Sequence, residues 1–347
     1  MKDLGVAVIG LGMGKNMLYL NEIEQLHSEV RALCCTSESK LAEYRQAFRI
    51  PFASHDYREI IHRDEIDIVA IFSPDHLHFD MMKEALEAGK HVIVTKPMAV
   101  SLEEAKEIVT LARKHRNKVI VGQTRRYVKR FQQAKQLFDA GKLGKPLFAE
   151  AHYIHDMRPV FDRSPWRYQV PKDFLYGGAC HPIDHLRWFL GDVEEVHAYG
   201  STSPVDPRYP QNKEINFLIN LKFKNGTIAR VLSAQGIVHP SEGTREMDEF
   251  SIYGDKGTVV NHRVRYEEAG EVFDYSLDAE SAVDFDGKEY SGHKAEVFRY
   301  VEEMERCIIE DVKPLINELE GAKCAAVSAA AWESIHSGQV VKVFNEF

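Results

Sequence analysis

Gly10-Leu11-Gly12-Met13-Gly14 is the first stretch of this 347-residue chain whose residue types and spacing suggest chemistry. It follows a short apolar run, Val6 to Ile9, and precedes apolar residues at helical spacing between Lys15 and His27 (Met17, Leu18, Leu20, Ile23, Leu26). Between a strand and a helix, glycines let the backbone turn tightly and approach a pyrophosphate held at the helix N-terminus. The third glycine stands at Gly14, and Lys15 takes the place that a strict GxGxxG pattern would give it.

A dinucleotide held there would bring its adenosine ribose to the end of the next apolar run, Val30 to Cys35. An acidic side chain at that point binds the ribose hydroxyls of NAD and repels the phosphate of NADP. The segment Cys34-Cys35-Thr36-Ser37-Glu38-Ser39-Lys40 has no Asp or Glu directly at the strand end. Hydroxyls at Thr36, Ser37 and Ser39, with Lys40 nearby, tilt the reading slightly toward NADP and leave NAD open. Ser37 or Ser39 would equally serve as a helix N-cap.

Other chemistries find less support. The close histidine pairs are His76/His78, His152/His155 and His181/His185, and only the last has i, i+4 spacing. No HExxH motif or cysteine set accompanies it, so no metal site is expected. A GxSxG nucleophile elbow is absent, which counts against hydrolase chemistry of the usual kind.

The elements that must position these residues fall into two rhythms. Apolar runs at Val6 to Ile9, Val30 to Cys35, Asp67 to Phe72, His91 to Val94 and Val119 to Gly122 alternate with helical patterns at Ser39 to Phe48, Phe79 to Ala88 and Ser101 to His115. That alternation predicts an α/β Rossmann domain with a doubly wound parallel sheet over residues 1–123. Beyond a helix near Phe131 to Ala140, period-two patterns follow at Leu147 to Ile154, Val193 to Ser201, Ile215 to Phe223, Thr227 to Gln235, Glu249 to Gly254 and Gly257 to Val264. They predict an α+β domain over residues 124–347, with a large, mainly antiparallel open sheet and helices such as Pro182 to Leu190 and Glu296 to Ile309 on one face. Its other face would suit an interface between copies of the chain.

Composition bounds the partners. With 44 basic and 53 acidic residues the formal charge is -9, which disfavours nucleic acid. The dense basic run Arg125, Arg126, Lys129 and Arg130 reads as a solvated face entering a helix. Five cysteines without CxxC spacing suit a reducing cytoplasm, and no apolar run approaches the length of a membrane span. The sequon Asn225-Gly226-Thr227 reads as a hairpin turn.

Ser73-Pro74-Asp75-His76-Leu77-His78, Glu87-Ala88-Gly89-Lys90-His91-Val92 and Thr95-Lys96-Pro97-Met98 together resemble the Gfo/Idh/MocA family, which includes glucose-fructose oxidoreductase and inositol dehydrogenase. The resemblance continues through Gly122-Gln123-Thr124-Arg125-Arg126-Tyr127, Gly177-Gly178-Ala179-Cys180-His181-Pro182-Ile183-Asp184 and the segment from Ala329 to Gly338. It implies that Lys96 is the catalytic lysine and His181 the general acid/base, with Asp184 one turn on to orient it or bind a substrate hydroxyl. It also implies cofactor contacts at Gly10, Gly12, Met13, Gly14, Ser73, Pro74, His78, Thr95, Lys96 and Gln123, and a loop at Trp166-Arg167-Tyr168 against the cofactor. Tyr153, His155, Asp156 and Arg158 fall where the family lines its substrate pocket, and homodimers or homotetramers are the expected assemblies.

Two positions depart from the family pattern. Thr95 stands where Glu generally precedes the lysine, and Gly177 stands where many members place an aspartate four residues before the histidine. The resulting expectation is an NAD(P)-dependent dehydrogenase acting on a secondary alcohol of a sugar, sugar acid or cyclitol. Two alternatives are an NAD-dependent glycosidase or lyase-like enzyme that oxidises its substrate transiently, and a non-catalytic dinucleotide-sensing regulator.

Overall fold

The computed structural model describes residues 3–162, 164–168, 174–238, 246–247, 249–278 and 282–347. Strands β1 (Leu4–Ile9), β2 (Ser28–Cys34), β3 (Phe52–Ser54), β4 (Ile68–Ile71), β5 (His91–Thr95) and β6 (Val119–Gly122) form one sheet in the order β3-β2-β1-β4-β5-β6. All five pairings are parallel. Val6, Val8, Ile68, Val69, Val92, Val94 and Ile120 are essentially unexposed, as strands covered on both faces require. The crossovers include α1 (Glu38–Ala47), α2 (Tyr57–Ile61), α3 (His78–Glu87) and α4 (Leu102–His115). Strand β3 has only three residues, too few to show a period in the sequence.

The helix expected from Lys15 to His27 is instead a 3₁₀ helix over Gly14–Glu22. Its apolar side chains Met17, Leu18 and Leu20 are all buried, so the period identified the inward face but not the winding or the end.

A connection through a 3₁₀ turn (Thr124–Tyr127) and α5 (Lys129–Asp139) leads to the second sheet. Its strands are β7 (Pro146–His155), β8 (Val193–Ser201), β9 (Asn216–Phe223), β10 (Ile228–Ala234), β11 (Glu246–Met247), β12 (Phe250–Gly254), β13 (Gly257–Val260), β14 (Arg263–Glu268) and β15 (Glu271–Ser276), joined near the C-terminus by β18 (Val341–Lys342). A small hairpin, β16 (Val283–Phe285) and β17 (Lys288–Tyr290), stands apart. The order is β15-β14-β13-β12-β7-β10-β9-β8-β18, with β11 beside β7; among the described residues only β7 and β10 pair in parallel in this sheet.

The turn at Asn225-Gly226-Thr227 joins β9 to β10 as expected, with Gly226 at φ +86°. The run expected as one strand from Gly257 to Val264 is two strands, because Asn261 takes φ +55° and turns the chain back. Five free cysteines are present, Cys35 alone not fully buried, and none of the described helices is long and apolar enough to cross a membrane.

Three further helices complete the fold: α7 (Cys180–Leu190), α8 (Gly292–Ile309) and α9 (Glu318–Ser337), besides the single turn α6 (Arg158–Phe161). Helix α7 covers β7 and β10, and α9 covers β8 while also touching α4 and β6. Helix α8 was expected on the second sheet but packs against the 3₁₀ helix of the first unit. The Glu305 carboxylate of α8 accepts from the buried Ser28 backbone N–H at 2.8 Å, and Tyr127 hydrogen-bonds Glu303. An apolar helical stripe shows that a helix is covered, not by which layer.

Candidate active site

The glycine turn after β1 is built so that no other residue fits part of it. Gly10 has φ +89°, and a Cβ there would stand 2.5 Å from the Phe72 carbonyl oxygen. A Cβ on Gly14 would stand 2.9 Å from the Phe72 ring, which lets the 3₁₀ helix lie close on the sheet. Gly12 meets nothing within 4 Å, and Met13 at the N-cap makes no capping bond with its side chain. The exposed backbone at Gly12 and Met13 and the uncapped helix start fit a pyrophosphate.

At the end of β2, Ser37 caps α1 by accepting from the Lys40 backbone N–H at 3.5 Å and lies 3.2 Å from Ser39. Thr36, Ser37 and Lys40 remain partly or fully exposed, as ribose or phosphate contacts must be. His55 bridges the Cys35 carbonyl (2.7 Å) and the Glu38 carboxylate (2.6 Å), which raises its pKa. His55 and Glu38 were not anticipated there, because His55 arrives from the short strand β3.

The ends of β4, β5 and β6 carry Ser73 and Pro74, Thr95 and Lys96, and Gln123. His78 is fully buried, with Nδ1 2.8 Å from the Pro97 carbonyl and Nε2 3.0 Å from that of Ser73. It therefore ties the β4 loop to the segment that carries Lys96, and this corrects its expected role as a direct cofactor contact. Trp166 lies against His76 with ring centroids 6.2 Å apart, and Arg167 covers Trp166 at 4.3 Å. The expected loop thus meets the Ser73 to His78 segment.

Lys96 Nζ donates to the Gly177 carbonyl at 2.5 Å. That carbonyl belongs to a π-helical turn, Phe174–Ala179, wound wider than the α7 helix it opens into. The turn is braced by Gln235, whose Nε2 donates to the Phe174 carbonyl at 2.7 Å. A Cβ on Gly178 would stand 1.8 Å from that nitrogen, so the bracing requires glycine. Where the family pattern places an aspartate side chain, this chain offers the lysine a backbone oxygen.

His181, in the first turn of α7, is 7% exposed, and its ring centroid lies 5.1 Å from that of Tyr153, which itself stacks on His155 at 6.0 Å. Its Nδ1 is enclosed without a partner among the described residues. Burial, then Lys96, Arg125 and His293, hold its pKa well below the ordinary histidine value. Arg125 stands 5.9 Å from the Tyr153 ring. Lys96, His181, Tyr153 and His155 are thus brought together.

Asp184 is not among them. It is wholly buried and both its oxygens accept from Arg126, at 2.9 and 2.6 Å. Arg126 also reaches Glu320 (2.7 Å), which meets Arg187 (3.3 Å). The expected substrate or histidine contact is therefore corrected: Asp184 points across α7 to the domain junction and fixes the helix that carries His181. The basic run is corrected with it, since Arg126 is 3% exposed and only Lys129, paired with Asp278 at 3.0 Å, lies on a solvated face. Although burial opposes its charge, Asp184 and Glu320 keep the Arg126 guanidinium protonated.

Arg158 makes a two-bond pair with Asp156 (2.9 and 2.5 Å) and stays partly exposed, while His155 Nδ1 lies 2.6 Å from the Met157 sulfur. His185 is stacked on Phe250 with centroids 3.9 Å apart, a core position.

A glycine turn at the switch point of a parallel sheet, with a lysine and a neutral histidine beyond it, defines a dinucleotide-dependent oxidoreductase. The family model described as "Oxidoreductase family, NAD-binding Rossmann fold" matches residues 4–123, and that of the GFO/IDH/MocA C-terminal domain matches residues 131–260. The chain belongs to the Gfo/Idh/MocA family and is an NAD-binding oxidoreductase. It is 28% identical over 268 residues to the uncharacterized oxidoreductase YrbE of Bacillus subtilis, covering 75% of this chain and 74% of that one. To the myo-inositol 2-dehydrogenase of Thermotoga maritima it is 24% identical, over 97% of this chain and 98% of the other. Among solved structures, levoglucosan dehydrogenase in complex with NADH and L-sorbose shares the fold, with TM-score 0.85, 22% identity and full coverage of both chains.

Proposed function

We propose that this chain oxidises a secondary alcohol of a sugar, sugar acid or cyclitol reversibly, with Lys96 and His181 handling the hydroxyl proton. The observation that carries this reading is the Lys96 ammonium held on the Gly177 carbonyl, one turn ahead of His181. When bound, NAD(P)+ supplies the hydride acceptor. Gly10, Gly12, Met13 and Gly14 would hold its pyrophosphate, and Ser73, Pro74, Thr95, Gln123, Trp166 and Arg167 would enclose its nicotinamide half.

Lys96 donates a hydrogen bond to the reacting oxygen and stabilises the alkoxide character that develops there. His181 accepts the proton at Nε2, the ring nitrogen left open to the pocket once Nδ1 is enclosed. Its neutrality suits an acceptor. Tyr153, His155 and Arg158 orient the remaining hydroxyls or a carboxylate. The relatives named as inositol and levoglucosan dehydrogenases support a polyol or sugar as substrate.

Thr36, Ser37 and Lys40, with no carboxylate at Cys34 or Cys35, support acceptance of NADP beside NAD. Five free cysteines suit a cytoplasmic setting. Two copies would pack through the open face of the second sheet, as a homodimer or as half of a homotetramer.

Incubation of the purified protein with NAD+ or NADP+ and a panel of sugars, sugar acids and cyclitols tests the reading through absorbance of the reduced cofactor. Net reduced cofactor is expected with at least one polyol. Product formed without net reduced cofactor would transfer the assignment to a glycosidase-like cycle, and binding without turnover to a regulator.

A further inference from the structure

A cavity of about 240 Å³ lies outside the candidate active site, where the π-helical turn, α4, α9 and β18 meet. Its lining includes Tyr176, Glu103, Trp332, Glu333, Lys342 and Phe344. Tyr176 is 2% exposed, and its hydroxyl forms no hydrogen bond among the described residues. Burial, then Glu103 and Glu104, push its pKa up, so the phenol keeps its proton and its polar end lies toward the start of α4, on the cavity side. A buried phenol ordinarily has a partner, and here the space for one is the cavity.

The charges of the lining are uncommitted as well. Glu103, Glu333 and Lys342 are exposed, and none forms an ion pair among the described residues although they share one cavity. The neighbouring charges have other partners: the Glu104 carboxylate accepts from the Val100 backbone N–H at 3.0 Å, and the Lys106 ammonium stands 3.8 Å over the Phe344 ring. Two carboxylates and one ammonium that stay apart across a cleft suit a molecule that carries both signs. Its ammonium would meet Glu103 or Glu333, its carboxylate Lys342, and its apolar body the rings of Trp332 and Phe344. The volume falls below the range of about 300–1,000 Å³ that holds drug-sized ligands, which excludes a nucleotide and admits an amino acid.

Both sides of the Lys96 hydrogen bond run into this cavity. Tyr176 directly precedes Gly177, whose carbonyl accepts from Lys96. On the other side the chain passes from Lys96 through Pro97 and Val100 to Ser101 and Leu102, which also line the cavity.

We propose that this cavity is an effector site for a small zwitterion of the amino-acid class, held by Tyr176, Glu103, Glu333 and Lys342, and that its occupancy steadies the turn on which Lys96 rests. The site itself stands apart from the reaction; its coupling to turnover rests on the assignment of Lys96 to the chemical step.

Calorimetric titration of the protein with a panel of common amino acids at millimolar concentration, without cofactor or substrate, tests the site. At least one should bind. Tyr176→Phe, which removes only the hydroxyl, should raise its Kd about tenfold. Lys342→Gln and Glu333→Gln, both at exposed positions, should weaken it too and guard against a packing defect at Tyr176. The decarboxylated amine of the same amino acid should bind more weakly and be indifferent to Lys342→Gln. No binding by any member of the panel, binding that all three variants leave unchanged, or an amine that binds as tightly as its parent would each overturn the proposal. With an active polyol, saturating amino acid should raise kcat by about fivefold, and Tyr176→Phe should cancel that gain. An unchanged kcat at full occupancy would overturn the coupling, whereas absence of turnover with every polyol would count against the proposed reaction and leave the binding result standing.

Discussion

At the scale of single residues, the site is organised by what each polar group faces. His181 is kept neutral by burial and by the positive charges of Lys96 and Arg125. A base must be unprotonated to accept, so kcat/KM for alcohol oxidation should stay level as pH falls through about 6.5, the ordinary histidine range. It should decline only lower, where His181 finally gains its proton, and His181→Gln should abolish that limb together with most of the rate. A pH-rate limb centred at or above the ordinary value would contradict this environment for His181. Lys96 and His181 stand out in the sequence through the motifs that resemble the family, Thr95-Lys96-Pro97-Met98 in one case and Gly177 to Asp184 in the other. Asp184 and His78 lie in the same motifs yet face away from the site. Motif spacing gives a residue's place along an element, while the direction of its side chain depends on partners such as Arg126, 58 residues away in sequence.

The elements that hold these residues show how the chain manages without an aspartate at position 177. The π-helical turn at Phe174–Ala179 presents a carbonyl to Lys96, and Gln235 of the second sheet keeps the turn in shape. Gly178→Ala should break the Gln235 to Phe174 bond and destabilise the protein by about 1–3 kcal/mol in chemical denaturation. Because the same turn positions the Gly177 carbonyl, kcat should fall at an unchanged Kd for the cofactor; unchanged stability and kcat would show that the turn tolerates a side chain. No sequence pattern announces such a turn, since its extra residue per turn is stabilised by a glutamine far along the chain. The parallel sheet, in contrast, was legible almost strand by strand, because strands covered on both faces read as continuous apolar runs between amphipathic helices. The exceptions, β3 and the 3₁₀ helix after the glycine turn, are short or tightly wound and leave too few residues for a period to emerge.

For the whole molecule, the junction between the two sheets is built from buried charge. Arg126, Asp184, Glu320 and Arg187 join the linker after β6, the helix of His181 and α9, so the histidine is held in register with the lysine on the other side of the crevice. A basic run alone does not disclose this, since solvated and buried arginines look alike until their carboxylates are found. The outer face of the second sheet carries exposed apolar residues among charged ones: Ile228 is 58% exposed, Phe148 36% and Val340 60%, beside Glu150, Arg230 and Lys222. The proposed packing of two copies through this face predicts that Ile228→Asp gives smaller species in light scattering while leaving monomer folding intact, and an unchanged mass would contradict that interface.

The proposed function assigns Lys96 to the chemical step on a polyol and not to holding the cofactor. The most direct measurement is single-turnover reduction of bound NAD(P)+ by an active polyol in wild-type and Lys96→Ala protein, with the cofactor Kd measured in parallel. Lys96→Ala should lose about 10²–10⁴-fold in rate at a nearly unchanged Kd; an undiminished rate would remove Lys96 from the chemical step.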